Sequence, residues 1–346
     1  MKHQTTRYGE IPFYKIGTFG NTADAFISKK LFLEYKTKYS FPKKGDILIS
    51  ASGTIGRAVI YDGKPAYFQD SNIVWIDNDE TLVKNDFLFY AYSNVKWNTE
   101  HTTILRLYND NFRNTLIPLP PLNEQIAIAN ILSDLDHYLY TLDALILKKE
   151  SVKKALSFEL LSQRKRLKGF NQAWQKVRLG DIANYLTSNL SAEQITQQGK
   201  IKVYDVNNFI GYTDTTFISD KPYISIVKDG SVGRVRILPP KTNILSTMGA
   251  LIANHKTTTE FLFYLLSNFD FKNFTSGSII PHIYFKDYKE KTIFLPPLNE
   301  QIAIANILSA LDSEITSLKN KKRQFENIKK ALNHDLMSAK IRVLKK

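Results

Sequence analysis

The segment LPPLNEQIAIANILS occupies residues 119–133 of this 346-residue chain and recurs without a change at residues 295–309. An exact recurrence of this length excludes chance, so the chain is built from two units, each a variable region followed by this shared segment. Upstream the similarity weakens but keeps its order, since the Gly-x-x-Gly-Arg turn of residues 53–57 recurs at residues 230–234. Near-identical connectors beside diverged domains indicate that a common framework carries two different surfaces.

The two units differ at their starts. The second opens with the stretch 174–182, whereas the first begins near Gly9, which aligns with Gly199, so the stretch 174–198 of the second unit has no counterpart. We therefore expect the first globular domain to lack an edge strand or a helix. The first unit in turn carries extra residues over 29–52. The predicted organisation is a first domain over 1–120, shortened at its start, a first helix over 121–170, a second domain over 171–296 and a second helix over 297–346.

Each repeated segment begins a long amphipathic helix. Two prolines, which cannot lie inside a helix, are followed by apolar residues at alternating steps of three and four, the pattern of a coiled coil. A helix of roughly 40 residues is about 60 Å long and needs a partner. The seam residues, which are also candidates for docking other subunits, are Ile128, Leu132, Leu135, Leu139, Leu142, Ile304, Leu308, Leu311, Ile315 and Leu318.

The order domain, helix, domain, helix fits two antiparallel helices between two similar domains, with a pseudo-two-fold internal repeat. The alternative is that each helix packs on its own globular domain. Lysines at 149, 153, 322 and 329 interrupt the seam further along. Such breaks fit a short coiled coil whose flanks dock other subunits, and equally a partly solvated helix end.

The globular regions combine strands and helices. Short apolar runs between glycine turns predict strands over 46–50, 58–61, 72–76, 223–227 and 234–238, and longer apolar stretches predict helices over 86–94 and 260–268. The predicted fold class is therefore α+β, with a similar globular domain in each unit.

The charge of the chain indicates a polyanionic partner. Lys and Arg number 47 against 33 Asp and Glu, a net charge of +14, and the excess is spread over both domains and both helices. A spread excess suits a molecule that lies along a polyanion, which favours nucleic acid. Binding to ribosomes or to a membrane surface, and a merely soluble basic protein, are the alternatives.

The candidates for DNA contacts fall in two places in each unit. The glycine turns can bring backbone amides close to phosphate while their arginines contact phosphate or a guanine edge, although a tight hairpin explains them equally well. Polar clusters nearer the helices are candidates for base contacts, with ordinary turn chemistry as the alternative. The candidates are Ser52, Thr54, Arg57, Arg106, Asn109, Asn111 and Arg113 in the first unit, and Ser231, Arg234, Arg236, Ser276, Ser278 and His282 in the second.

Several classes of function are excluded or disfavoured. The chain has no cysteine, so disulfides, thiolate zinc sites and iron–sulfur clusters are impossible. It lacks the Asn-Pro-Pro-aromatic, His-Glu-x-x-His and Gly-x-Ser-x-Gly motifs, and its six histidines show no ligand spacing, so we expect no catalytic residue, no metal site and no cofactor in this chain. No apolar stretch is long enough for a membrane span, and no signal peptide is evident, so we expect a cytoplasmic protein.

The twin PPLNEQIAIANIL segments, each leading into a predicted coiled-coil helix and each preceded by a divergent domain with a Gly-x-x-Gly-Arg turn, resemble the specificity subunits of type I restriction-modification enzymes. The resemblance covers nearly the whole chain. Its specific part is the Leu-Pro-Pro-Leu-x-Glu-Gln element, present twice, because the glycine turns alone are common in other proteins.

This resemblance implies two target-recognition domains, each reading one half of a split, asymmetric site in double-stranded DNA, with the helices setting the distance between them. It implies methyltransferase subunits, two of them, that transfer a methyl group from S-adenosylmethionine to adenine, and motor-nuclease subunits that use ATP and magnesium to translocate and cut DNA. The chain itself is then non-catalytic, and these cofactors belong to its partners. The competing hypotheses are a helical scaffold protein without sequence-specific DNA binding and a self-sufficient nuclease.

Overall fold

The structure, a computed structural model, describes residues 4–68, 72–97 and 106–344. It forms two compact units, whose bounds differ from those of the two sequence repeats. The first unit comprises residues 1–143 and 320–346, and the second unit comprises residues 144–319. Each unit therefore contains one globular domain together with parts of both long helices.

The globular domain of the first unit consists, in chain order, of β1 (Ile11–Tyr14), β2 (Phe26–Ile27), α1 (Lys29–Lys38), β3 (Ile47–Ser50), β4 (Ala58–Ile60), β5 (Tyr67–Phe68), β6 (Ile73–Trp75), α2 (Asn85–Asn94) and α3 (Asn109–Arg113). Strand β1 lies between β2, which is antiparallel to it, and β5, which is parallel. Strand β3 lies between β4 and β6 and is antiparallel to both. Helix α2 covers this second sheet, because its Leu88 and Tyr92 share a buried cluster with Ile47 and Ile49.

The globular domain of the second unit consists of β7 (Gln175–Arg178), β8 (Ala183–Thr187), β9 (Ile201–Tyr204), β10 (Phe209–Thr213), β11 (Tyr223–Val227), β12 (Val235–Leu238), β13 (Thr242–Ile244), β14 (Met248–Ala253), α5 (Thr259–Ser267), β15 (Thr275–Ser276), β16 (His282–Ile283), α6 (Phe285–Tyr288) and β17 (Thr292–Leu295). Its main sheet has the order β12-β11-β14-β8, a second sheet has the order β10-β9-β13, and β7–β17 and β15–β16 form two-stranded pairs.

The two domains share one plan. Strands β1, β2 and β5 pair in the same way as β9, β10 and β13, and β3, β4 and β6 in the same way as β11, β12 and β14. The predicted α+β class with a repeated domain is confirmed. Strands β7 and β8 lie within residues 174–198, and no described residue of the first unit takes their place in its sheets. Because β7 pairs with β17, Leu295 is 5% exposed, whereas Leu119 at the same position of the repeat is 44% exposed.

The long helices are α4 (Leu122–Leu161) and α7 (Leu298–Met337), each of 40 residues. In each unit a part of α4 runs antiparallel to a part of α7, and apolar residues of the two helices share a buried cluster. That cluster joins Leu132 with Leu336 in the first unit and Leu160 with Leu308 in the second. The predicted antiparallel helix pair is therefore present within each unit.

The first turns of each helix also pack on the adjacent globular domain. Leu132 shares its cluster with Phe87 of α2, and Leu308 shares its cluster with Phe261 of α5. The two interpretations of the apolar stripe thus both hold here, because its residues are buried between a domain helix and the opposite long helix. Of the predicted seam residues, Ile128, Leu132, Leu142, Ile304, Leu308 and Ile315 are buried, and Leu135, Leu139, Leu311 and Leu318 are half-buried.

The lysines that interrupt the seam pair with acidic residues of the opposite helix. In the first unit Lys329 binds Asp136, and in the second unit Lys153 binds Asp312 at 2.5 Å. Each aspartate also accepts a hydrogen bond from a domain tyrosine, Tyr90 or Tyr264, at 2.8 and 2.9 Å. Burial and this bond to a carboxylate raise the pKa of both tyrosines. The lysines that interrupt the apolar pattern therefore form ionic contacts, and the aspartates that they bind join both helices to the domain.

The glutamine of each repeated segment ties the long helix to the globular domain. Gln125 is fully buried; its Oε1 accepts from the amide of Lys84 at 2.8 Å, and its Nε2 donates to the carbonyl oxygens of Leu82 and Pro120. Gln301 makes the corresponding bonds to Thr258, Lys256 and Pro296. Lys84 and Thr258, whose amides donate to Oε1, directly precede α2 and α5. Each glutamine therefore satisfies a free amide at the start of a domain helix.

The glutamate of each repeated segment binds an arginine that follows the opposite helix. Glu124 accepts two bonds from Arg342, at 2.8 and 2.5 Å, and Glu300 accepts two from Arg166, at 3.2 and 2.6 Å. Arg166 and Arg342 occupy equivalent positions of the two repeats, as Glu124 and Glu300 do. The Trp174 indole donates a third bond to Glu300 at 2.9 Å. The bonds from Arg342 lower the pKa of Glu124 below its usual value of 4.5.

Replacement of this glutamate should change how stability depends on pH. A carboxyl whose pKa is lowered by folding stabilises the protein above its unfolded pKa, and this contribution is lost as the pH falls through the lowered folded value. We expect Glu124→Gln to unfold at a lower urea concentration than the wild type at pH 7. The difference between the two urea midpoints should narrow below about pH 4.5. Glu34→Gln, at an exposed position of α1 in the same unit, is the control and should leave stability unchanged. A gap that stays constant from pH 7 to pH 3 would contradict this assignment.

Candidate nucleic-acid interface

The glycine turn of the first unit is a tight connection between β3 and β4. Gly53 and Gly56 have φ of 68° and 79°, and a Cβ on Gly56 would lie 2.3 Å from the Trp97 indole nitrogen. Glycine is therefore required here both for the left-handed backbone and for the close approach of a ring. The amides of Ile55 and Gly56 donate to carbonyl oxygens of the turn and of Ser50.

The second unit repeats this turn between β11 and β12. Gly230 and Gly233 have φ of 83° and 81°, and a Cβ on Gly233 would lie 2.6 Å from the Phe271 ring. The amides of Gly230, Val232 and Gly233 all donate within the domain, that of Gly230 to Pro281. These backbone amides of both turns are thus already bonded within tight hairpins, which leaves the surrounding side chains as the remaining candidates for contacts to DNA.

Each turn lies beside the polar cluster predicted on the same unit. Ser52 and Arg106 form an antiparallel bridge, and the amide of Leu107 donates to Ala51 at 2.8 Å. In the second unit Asp229 and His282 form the corresponding bridge, and the amide of Ile283 donates to Lys228 at 2.9 Å. Two segments far apart in the sequence therefore form one continuous surface in each domain.

Two predicted arginines are bound to their own domains. Arg57 donates through Nη1 to the carbonyl oxygen of Phe19 at 2.9 Å. Arg236 donates to the carbonyl oxygen of Asn207 at 2.9 Å and lies over the Tyr204 ring. Their guanidinium groups stabilise the packing of neighbouring loops. The exposed side chains of the turns are those of Thr54, Ser231 and Arg234.

The remaining candidates lie on short elements after the bridge. Asn109, Asn111 and Arg113 are on α3, where the Asn111 side chain accepts from the Tyr108 amide at 2.6 Å and caps the helix. Arg113 forms an exposed ion pair with Asp110 at 3.6 Å. In the second unit Ser276 pairs with His282 across β15 and β16, and Ser278 is exposed in the connecting loop.

Sequence reasoning missed three sets of residues. Asp229 was not a candidate, although its carboxylate lies 2.6 Å from Nδ1 of His282. Tyr108 and Tyr284, which occupy the same position of the two repeats and are both partly exposed, were not candidates either. The third set comprises exposed apolar residues of the repeated segment that are identical in both units and lie outside the seam: Leu122, Ile126, Leu298 and Ile302. Identity between the repeats at exposed positions is the signal that could have found them.

Within the part of the chain that the structure describes, no cluster of three or more histidine or acidic residues could hold a metal ion. None of the described helices is long and apolar enough to cross a membrane. What the geometry offers is a pair of polar, partly basic surfaces, one in each domain.

Comparison with known proteins finds the same two-part organisation. A family model described as type I restriction modification DNA specificity domain matches residues 1–150 and 171–327, once in each repeat. Over 335 residues the chain is 30% identical to the putative type I restriction enzyme MjaX specificity subunit of Methanocaldococcus jannaschii, a match that covers 86% of this chain and 79% of that protein.

A shorter and stronger match links the chain to a putative type I restriction enzyme specificity subunit of Haemophilus influenzae, 65% identical over 133 residues. This match covers 38% of the chain but only about a third, 34%, of that relative's length. Among solved structures, a type I restriction-modification S subunit from M. genitalium has the same fold, with a TM-score of 0.63 over 97% of this chain and 91% of that chain at 20% identity.

The aromatic ring that contacts the second glycine of each turn should make substitution of that glycine more destabilising than substitution of the first. Gly233→Ala should destabilise the second unit by about 2–4 kcal/mol, because the new methyl group meets the Phe271 ring in addition to the strained backbone. Gly230→Ala is the matched control: its φ is equally positive but its Cβ would enter open space, so we expect about 1 kcal/mol. Urea unfolding measures both when Trp75 and Trp97 are replaced by phenylalanine, so that the emission comes from Trp174, the one tryptophan in residues 144–319. Equal losses would show that the ring contact has no energetic weight.

Proposed function

Because the chain belongs to the type I restriction-modification DNA specificity family, we infer that it is the sequence-specific DNA-binding subunit of a type I restriction-modification complex and that it reads a bipartite, asymmetric duplex site. Each globular domain reads one half-site. A helical scaffold without sequence-specific binding is disfavoured, since the family model matches both domains and not the helices alone.

One observation carries this proposal at the level of residues. Each unit builds the same surface, a glycine turn bridged to a second segment, but the bridged residues differ: the buried Ser52 and Arg106 in one unit, Asp229 and His282 in the other. An identical frame with different polar groups is what recognition of two different short base sequences requires. The net charge of +14 supplies the attraction to the phosphate backbone.

The chemistry is proposed to lie on partner subunits. Methyltransferase subunits would bind S-adenosylmethionine and methylate adenine, and motor-nuclease subunits would use ATP and magnesium to translocate and cut the DNA. This chain would place them at the recognised site and contribute no catalytic group. We expect the complex to work in the cytoplasm, where it meets double-stranded DNA.

The exposed part of the repeated segment is the proposed docking surface for the methyltransferase. Leu122 and Ile126 are 39% and 46% exposed, and Leu298 and Ile302 at the same repeat positions are 45% and 49% exposed. A spacing of four places each pair on one helix face. The buried glutamine, glutamate and seam residues of the segment have partners within the protein, whereas these apolar residues face solvent. The same apolar patch on both units favours two copies of one partner.

The recognition proposal is tested by mapping methylated adenines. The chain is co-expressed with its methyltransferase partner in a host without adenine methylation, and genomic DNA is sequenced by a method that detects N6-methyladenine. We expect one split motif, two short specified half-sites separated by a fixed number of unspecified bases. The methyltransferase expressed alone is the control and should methylate nothing. A continuous motif, or the same methylation without this chain, would contradict the proposal.

The docking proposal predicts a stepwise loss of partners. Leu122→Glu combined with Ile126→Glu should leave one bound methyltransferase subunit. The further changes Leu298→Glu and Ile302→Glu should leave none, because each pair of substitutions places charges where the partner would cover an apolar patch. Native mass spectrometry of the purified complex counts the subunits. Leu33→Glu, at a 52% exposed leucine of α1, is the control and should retain both copies. Two copies bound to the fourfold variant would place the docking surface elsewhere.

A further inference from the structure

We propose that Arg106 and His282 occupy the same base-reading position in the two recognition domains, and that in the second domain the bridged turn residue, Asp229, sets the hydrogen-bonding pattern that His282 presents to DNA. The proposal rests on the proposed function, which it deepens by naming the residues that make the two half-sites different.

The backbone makes the two positions equivalent. Arg106 is bridged to Ser52, the residue before Gly53, and His282 is bridged to Asp229, the residue before Gly230. In both units the amide of the next residue donates to the carbonyl oxygen of the residue before the bridged turn residue: Leu107 to Ala51 at 2.8 Å, and Ile283 to Lys228 at 2.9 Å. The two side chains therefore branch from equivalent backbone positions, each beside a turn that contains two glycines with positive φ.

The surroundings of the two readers also correspond. The Arg106 guanidinium lies over the ring of Tyr108 at 5.8 Å, and the His282 ring is stacked on that of Tyr284 at 6.5 Å with an interplanar angle of 21°. Both tyrosines are about half exposed, 44% and 50%. A tyrosine two residues along the chain thus supports a flat, polar side chain at the surface in each unit. Planar groups held in this way have a restricted orientation, which lowers the entropy cost of contacting a base edge.

The partners of the two readers differ in a way that changes their chemistry. Arg106 has only donors, in a planar fork that matches O6 and N7 of guanine. In the second unit the Asp229 carboxylate accepts a bond from Nδ1 of His282 at 2.6 Å, which fixes the proton on that nitrogen. Nε2 is then the ring nitrogen left to contact a base, and as an acceptor it suits the amino group of adenine or cytosine in the major groove. Ser52 instead donates to the Asn72 side chain at 2.9 Å. The turn residue therefore differs together with the reader.

The direct test transplants the pair from one domain to the other. The full chain carrying Asp229→Ser and His282→Arg is co-expressed with the methyltransferase, and its methylated motif is mapped. We expect one base position of one half-site to change toward guanine, with at least about a tenfold shift in preference, while the other half-site and the spacing remain as in the wild type. Lys286→Ala is the control: its ammonium lies 5.5 Å from the Tyr284 ring, and its loss should weaken methylation without changing the motif.

Each outcome of this test decides between specific alternatives. An unchanged motif, at normal or at uniformly reduced methylation, would overturn the proposal, because it would make position 282 a backbone contact or no contact. A wild-type chain that yields no split motif would instead refute the proposed function. If the double variant does not fold, Asp229→Asn and His282→Gln, which preserve shape, take its place; we expect each to broaden one base position, and unchanged specificity in both would overturn the assignment.

Discussion

The buried side chains of Gln125 and Gln301 are the constraint on which the rest of this structure depends. A recognition surface is useful only if its orientation relative to the helix that carries it is fixed, and a single apolar contact leaves rotation possible. The glutamine amide uses both its acceptor and its donors on the backbone at the start of the domain helix, and its neighbour Glu124 or Glu300 holds an arginine that follows the opposite helix. Two adjacent residues thus connect three elements. A single change at either position would leave a polar group buried without its partner, which explains why these positions are identical in both repeats.

Most of the architecture could be predicted from the sequence because the decisive signals are periodic or repeated. The duplicated segment indicated the two units, the steps of three and four indicated both helices, and apolar runs such as residues 223–227 indicated strands whose bounds agree with β11 to the residue. The packing of the long helices was predicted only in part. Leu132 and Leu308 are buried against a domain helix as well as against the opposite helix, and periodicity identifies a buried stripe without stating what covers it.

The site was harder to predict, because its members are joined by tertiary contacts that leave no pattern in the chain. Arg57 and Arg234 occupy the same place in the motif, yet one donates to the Phe19 carbonyl and the other is exposed. Asp229 was overlooked because nothing in the sequence brings it to His282, which is far from it along the chain. The lysines at 153 and 329 look like simple interruptions of the seam, because the aspartates that bind them are on the other helix. In each case the missing information was the identity of a distant partner.

The division of the chain between the two units bears on how the protein is made. The second unit is one continuous stretch, residues 144–319, whereas the first unit combines residues 1–143 with residues 320–346. On the ribosome residues 1–143 emerge before the second unit, whereas Lys329 and Arg342, which bind Asp136 and Glu124, are synthesised after it. Domains fold as their residues become available. The domain that is translated first is therefore completed last, and until the end of α7 is released its apolar surface at Leu132 lacks Leu336. Loss of residues 320–346 would consequently damage the domain of residues 1–143 more than the domain of residues 144–319, which lies beside them in the sequence.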